Sequence, residues 1–127
     1  MKIKRFEDIK AWQGARDLVN KIYKAIRGNN GFYRDFRFRE QIQAAGISVM
    51  SNIAEGFARS SDREFKRFLW IAKGSLAEVQ SQLWVALDQG YVTQDDFDRL
   101  YAKAEEVAKL ISGFITYLLD SKTQRTQ

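Results

Sequence analysis

Between Ser51 and Phe65 the chain reads SNIAEGFARSSDREF, with an amide, carboxylates, two arginines and a glycine set among apolar residues. Such a run can be an active-site loop, in which Asn52 and Glu55 line a polar pocket and act on a substrate. That chemistry needs a nucleophile with a base beside it, and none stands nearby. The chain has no His and no Cys, which removes the usual imidazole base, the thiolate nucleophile and the commonest transition-metal ligands. No loop spaces its acids as a calcium site does. A protein that is not an enzyme, with no cofactor and no metal, is the expectation. The structural reading of the same stretch is complete. Gln41, Ser48, Asn52, Glu55 and Arg59 follow steps of seven, four, three and four, a single line along a helix. Glu55 and Arg59 can bridge, Gly56 lets a neighbouring backbone approach or lets the helix turn, and Ser60 and Ser61 serve as hinge and cap.

Two other stretches have the chemistry of phosphate binding. GFYRDFRFRE, Gly31 to Glu40, interleaves rings with Arg34, Arg37 and Arg39. Nucleic-acid binders combine stacking rings with guanidinium groups in this way. The competing reading puts Phe36 and Phe38 at the start of a helix core and leaves the arginines to water. Arg59, Arg63, Lys66, Arg67 and Lys73 form a second basic run, read either as a stripe that tracks phosphates or as a solvated edge partly neutralised by Asp62 and Glu64. Charge is uneven: residues 1–67 hold 15 basic and 8 acidic side chains, a net of +7, and residues 68–127 hold 6 and 8, a net of −2. The candidate nucleic-acid contacts are Arg34, Arg37, Arg59, Arg63, Lys66, Arg67 and Lys73.

The elements that must position these residues are helices. The chain has 127 residues, no Pro and eight Gly, enough for one core and with few enforced breaks. Apolar spacing predicts four helices, over roughly Glu7–Arg27, Asp35–Gly56, Asp62–Gln89 and Gln94–Leu119. GNNG at Gly28–Gly31 stops the first. Asp35 caps the second, Ser61 with Glu64 has capping-box spacing for the third, and Thr93 caps the fourth with Val92 and Phe97 as a staple. Matched lengths and short links predict an all-α, antiparallel up-down-up-down four-helix bundle over 1–120, with a polar tail at 121–127. No apolar run reaches membrane-spanning length and no signal-peptide core is present, so a cytoplasmic location without membrane contact is expected.

The third predicted helix has more apolar surface than one bundle needs. Phe65, Leu69, Ala72, Leu76, Val79, Leu83 and Ala86 make a heptad seam. Trp70, Ala77 and Trp84 make a second stripe, and the second helix has no charge from Gln41 to Ala54. Either one broad internal core covers both stripes, or copies of the chain associate through these two helices. Association is the expectation, with Asn52, Glu55, Trp70, Ala77 and Trp84 at the oligomer interface.

FEDIKAWQGARDLVNKIY, the segment from Gln41 to Leu83 and the final amphipathic helix together resemble the 23S rRNA intervening-sequence proteins, over about Phe6 to Leu119. The most specific parts are Ser51-Asn52-Ile53-Ala54-Glu55-Gly56 and Ala72-Lys73-Gly74-Ser75-Leu76-Ala77-Glu78. Two positions depart from the pattern: Tyr33 stands near a common proline, and Gln43 where a basic residue is frequent. The resemblance implies a bacterial four-helix bundle that assembles as a homopentamer. Relatives of that family include the accessory variability determinant of diversity-generating retroelements, which binds nucleic acid and a reverse transcriptase. The expected role is therefore an accessory or scaffold factor that binds structured RNA or DNA through basic surface. The alternative is a protein-interaction scaffold, such as a docking ring for a reverse transcriptase.

Overall fold

The computed structural model describes residues 3–120, and the tail assigned to 121–127 lies outside them. A 3-10 turn at Phe6–Asp8 leads into helix α1, Lys10–Arg27. A short α2, Asn30–Arg34, precedes the three long helices α3, Phe36–Phe57, α4, Asp62–Asp88, and α5, Gln94–Asp120. The described residues contain no strand.

The caps follow the local chemistry. The Asn29 Oδ1 accepts from the Phe32 N–H at 2.9 Å, Asp35 from Phe38 at 3.1 Å, Ser61 from Glu64 at 3.2 Å and Thr93 from Asp96 at 3.1 Å. The capping box at Ser61 is half made, because the Glu64 carboxylate turns to Arg67 at 3.4 Å. Gly90, at φ +75°, ends α4: its N–H donates to Leu87 O at 3.0 Å and the Tyr91 N–H to Ala86 O at 2.8 Å, a Schellman motif.

Two elements differ from expectation. The first helix begins at Lys10 rather than Glu7, because Ile9 is extended and drives its buried side chain into the core. Glu7 and Asp8 therefore sit in the preceding 3-10 turn, where Arg5 pairs with Glu7 at 3.1 Å. The loop GNNG does stop α1, but Asn29 then nucleates α2. This extra turn shifts the helical phase, so that Phe32 is buried while Phe36 is 60% exposed. The reading that placed Phe36 in the core is corrected on this point, whereas Phe38 does pack inward, its ring 5.7 Å from Phe32.

Long helices α1, α3, α4 and α5 enclose one core, each touching two of the others in the order α1, α3, α4, α5 and back to α1. Contacts fix their directions. Gly56 lies at Phe65 and Phe68, while Ser48 lies at Ser75, so α3 and α4 run antiparallel. Ring pairs Phe65–Phe114 and Trp84–Phe97, with centroids 5.2 and 4.6 Å apart, do the same for α4 and α5. Gly14 at Val107 and the Lys103–Asp17 ion pair at 3.3 Å run α1 against α5. The bundle is up-down-up-down. The heptad seam of α4, Phe65 to Ala86, is fully buried, as are Leu18, Ile22, Ile42, Val49, Ile53, Ala104, Val107 and Ile111. Burial of this apolar set is the main stabilising term.

Candidate nucleic-acid and assembly surfaces

The stretch that opens at Ser51 is a helix end, a turn and a helix start. The Asn52 amide donates to the Ser48 carbonyl and hydroxyl at 2.8 and 3.0 Å, and the Ser48 hydroxyl meets that of Ser75 at 2.8 Å. Glu55 and Arg59 form the i,i+4 pair at 3.0 Å. Gly56 is buried where a Cβ would lie 2.7 Å from the Phe68 Cβ, so α3 and α4 meet more closely than a side chain allows. Asn52 is half-buried and engaged within its own helix, and Glu55 is exposed.

The seven basic candidates do not form one surface. Arg34 and Arg37 stand at the start of α3, and Arg59, Arg63, Lys66 and Arg67 flank the turn at its far end. Twenty-two residues of helix separate the groups by about 30 Å. The two ends differ in charge compensation, though only two of the four far-end cations are paired and no ion pair joins Arg63 or Lys66 among the described residues. Arg59 pairs with Glu55 and Arg67 with Glu64, and both guanidinium groups lie 4.8 Å from the Phe68 ring centroid. At the other end no ion pair joins Arg34, Arg37 or Arg39 to an acid among the described residues. Asp35, which stands between them in sequence, uses one oxygen to cap Phe38 and the other to accept from the Tyr91 hydroxyl at 2.6 Å. Those hydrogen bonds, that from Tyr91 first, hold its carboxyl below the ordinary value, and the same bond raises the Tyr91 phenol.

Arg39, absent from the seven candidates, completes the first patch. Its guanidinium lies 4.3 Å from the Tyr33 ring centroid and 4.8 Å from that of Phe36, and donates to the Tyr33 carbonyl at 2.7 Å. The break between α2 and α3 creates this arrangement. The signal for it in the sequence was Asn29 and Asp35, two cap residues six apart.

Between the basic ends the outward surface of α3 and α4 is sparsely charged, with Glu78 exposed and Lys73 half-buried on α4. Ala44, Ile47 and Ser51 are exposed on α3; Trp70, Ile71, Gly74, Ala77 and Trp84 are exposed on α4. Trp70 is 57% and Trp84 50% exposed. Trp84 leans on Phe97 and Tyr101 of α5, while Trp70 has only Lys73 over its ring at 5.0 Å. Lys73 and Lys66 are half-buried along the α5 side of α4.

A cleft of about 560 Å³ opens between α1 and the α4–α5 turn, lined in part by Lys21, Lys24, Tyr91, Asp96 and Arg99. Its cations are largely matched, Lys21 by Asp17 at 3.3 Å and Arg99 by Asp96 at 2.6 Å. No cluster of three potential metal ligands occurs among the described residues, and no described helix is long and apolar enough to cross a membrane.

A sequence model described as 23S rRNA-intervening sequence protein matches residues 7–113. The chain belongs to that family. A crystal structure of a protein of unknown function from the S23 ribosomal protein family of Bacteroides thetaiotaomicron VPI-5482 is similar, with a TM-score of 0.74 and 22% sequence identity. The alignment covers 83% of this chain and 97% of that one. This likeness shows a shared bundle fold. No curated protein matches the chain. Within this intervening-sequence protein, the segment Ser51–Gly56 serves the α3–α4 contact, and Ala72–Glu78 carries both the buried seam and the exposed Gly74 and Ala77.

Proposed function

We propose that this intervening-sequence protein is a non-enzymatic, self-associating bundle that binds structured RNA or DNA through its basic ends, as an accessory or scaffold factor. One observation carries the reading: the outward face of α3 and α4 exposes Trp70, Ile71, Ala77 and Ile47, with Glu78 the exposed charge among them, and has arginines at both ends. Contiguous exposed apolar surface of this kind favours a partner surface. Copies joined through the centre would repeat the arginine patches along two rims, and repeated cations multiply attraction for a phosphate backbone. Family resemblance favours a closed ring of five, which uses a head-to-tail interface.

Contacts of this kind hold phosphates without reading sequence, so binding weakens steeply with salt. A gel shift on 23S-type RNA and on duplex DNA at two salt concentrations tests the nucleic-acid half, and no shift at low salt ends it. Light scattering tests assembly: a particle of 14.8 kDa is the single chain and ends that half.

A further inference from the structure

We infer that the corner formed by Tyr33, Phe36 and Arg39 is a stacking platform for unpaired bases, so that the nucleic acid bound at this end is single-stranded; this rests on the nucleic-acid reading above. Tyr33 is 48% and Phe36 60% exposed, and Arg39 sits against both rings at 4.3 and 4.8 Å. Arg39 covers one face of each ring, and about half or more of each residue stays open to solvent. The Arg39 hydrogen bond to the Tyr33 carbonyl at 2.7 Å ties α2 to α3 and holds the guanidinium beside the rings. Bases in a duplex are covered by their neighbours, whereas an unpaired base has a free face to lay on an aromatic ring.

Charge selects the occupant. Arg39 lies against both rings, Arg34 and Arg37 adjoin them in the chain and are exposed, Asp35 is committed to Phe38 and Tyr91, and Glu40 is the one exposed acid in this stretch. Rings set among uncompensated guanidinium groups complement a strand that alternates bases with phosphates. The far end of α3 lacks the combination, since Phe68 there is buried and Arg59 and Arg67 are paired with acids.

The test compares an oligo-uridine RNA with an RNA duplex of equal length, by fluorescence anisotropy at one low salt concentration. Tyr33→Ala with Phe36→Ala is expected to weaken single-strand binding by about tenfold or more and duplex binding by less than about twofold. Tyr33→Phe with Phe36→Tyr keeps both rings and is expected to keep single-strand affinity; loss there, with the melting curve unchanged, overturns the platform. Unchanged single-strand affinity in the alanine pair overturns this inference alone. No binding of either RNA by the wild type overturns it together with the reading beneath it. A smaller particle mass in the alanine pair would place the rings against another copy of the chain and also overturn it.

Discussion

The Tyr91 hydroxyl donates to the Asp35 carboxylate at 2.6 Å, joining two points 56 residues apart in the chain. Asp35 ends α2, caps α3 through Phe38 and receives Tyr91; the Gly90 turn is what aims Tyr91 there. The Tyr91 ring stacks on Phe32 at 5.1 Å, so the α4–α5 turn holds the α2–α3 corner by both a ring contact and a hydrogen bond. The position of Tyr33, Phe36 and Arg39 therefore depends on a turn that none of them touches in sequence.

Tyr91→Phe keeps the ring and removes the bond, and is expected to lower the Tm at neutral pH. Asp35 titrates below its ordinary 3.8 in the folded chain, so its share of this stability is present above that value and is lost as pH falls through the lower, folded one. Tyr91 titrates above 10.0, so its share is present below that value and is lost as pH rises through the higher one. The Tm gap between wild type and variant should be flat in between and shrink at both edges. A gap that is constant from acid to alkali would mean the bond contributes nothing.

Much of this architecture was legible in the sequence. The heptad seam from Phe65 to Ala86 is buried at every position, and Asp35, Ser61 and Thr93 all cap as their types predict. The short α2 was not legible, because five residues show no apolar period and only Asn29 marks their start. Missing that turn put Phe36 on the wrong side and left Arg39 out of the basic patch. The exposed stripe of Trp70, Ala77 and Trp84 was legible as surplus apolar surface, but a single chain does not show what covers it.

Glycines separate the inside of the bundle from its outside. Gly56→Ala would set a Cβ 2.7 Å from the Phe68 Cβ and 3.3 Å from the Phe65 carbonyl oxygen, atoms close to or in the backbone of α4. A loss of about 1–3 kcal/mol is expected, as for other overpacked sites. Gly74→Ala meets nothing within 4 Å in the same helix pair. Helix propensity then dominates and should add roughly 0.5–1 kcal/mol. Urea denaturation of the two variants checks the opposite signs.

Trp70 is the cleaner probe of assembly. Its ring touches Lys73, whereas Trp84 packs on Phe97 and Tyr101 inside the chain. Trp70→Asp is expected to lower the particle mass in light scattering while changing single-chain stability by no more than about 0.5 kcal/mol, as at other exposed sites. Trp84→Ala should lower the Tm whether or not copies associate. An unchanged mass for Trp70→Asp would remove the tryptophan stripe from the interface.

The two basic ends should contribute unequally to nucleic-acid affinity. Arg34→Ala with Arg37→Ala removes charges that no acid offsets, whereas Arg59→Ala with Arg67→Ala removes charges already facing Glu55 and Glu64. The first pair is expected to weaken binding more and to lower the slope of log affinity against log salt by about 1 for each phosphate no longer neutralised. Titrations at several salt concentrations read both quantities. Equal effects from the two pairs would mean the acids do not shield their arginines from the ligand.

The Ser48–Ser75 contact is a polar tie between α3 and α4, and a double-mutant cycle can isolate it. Ser48→Ala leaves the Ser75 hydroxyl without its 2.8 Å partner and strips one acceptor from Asn52, which keeps the Ser48 carbonyl. The site is half-buried, so water replaces the partner only in part, and a loss of about 1 kcal/mol is expected. Ser75→Ala should cost less, because Ser48 still accepts from Asn52. Once Ser48 is alanine, the Ser75 hydroxyl has no Ser48 partner left to lose. The double variant should therefore fall short of the summed losses by about 0.5 kcal/mol or more. Strictly additive losses in urea melts would mean that each hydroxyl is satisfied by solvent, and that apolar packing and the close approach at Gly56 hold these two helices in register without the Ser48–Ser75 contact.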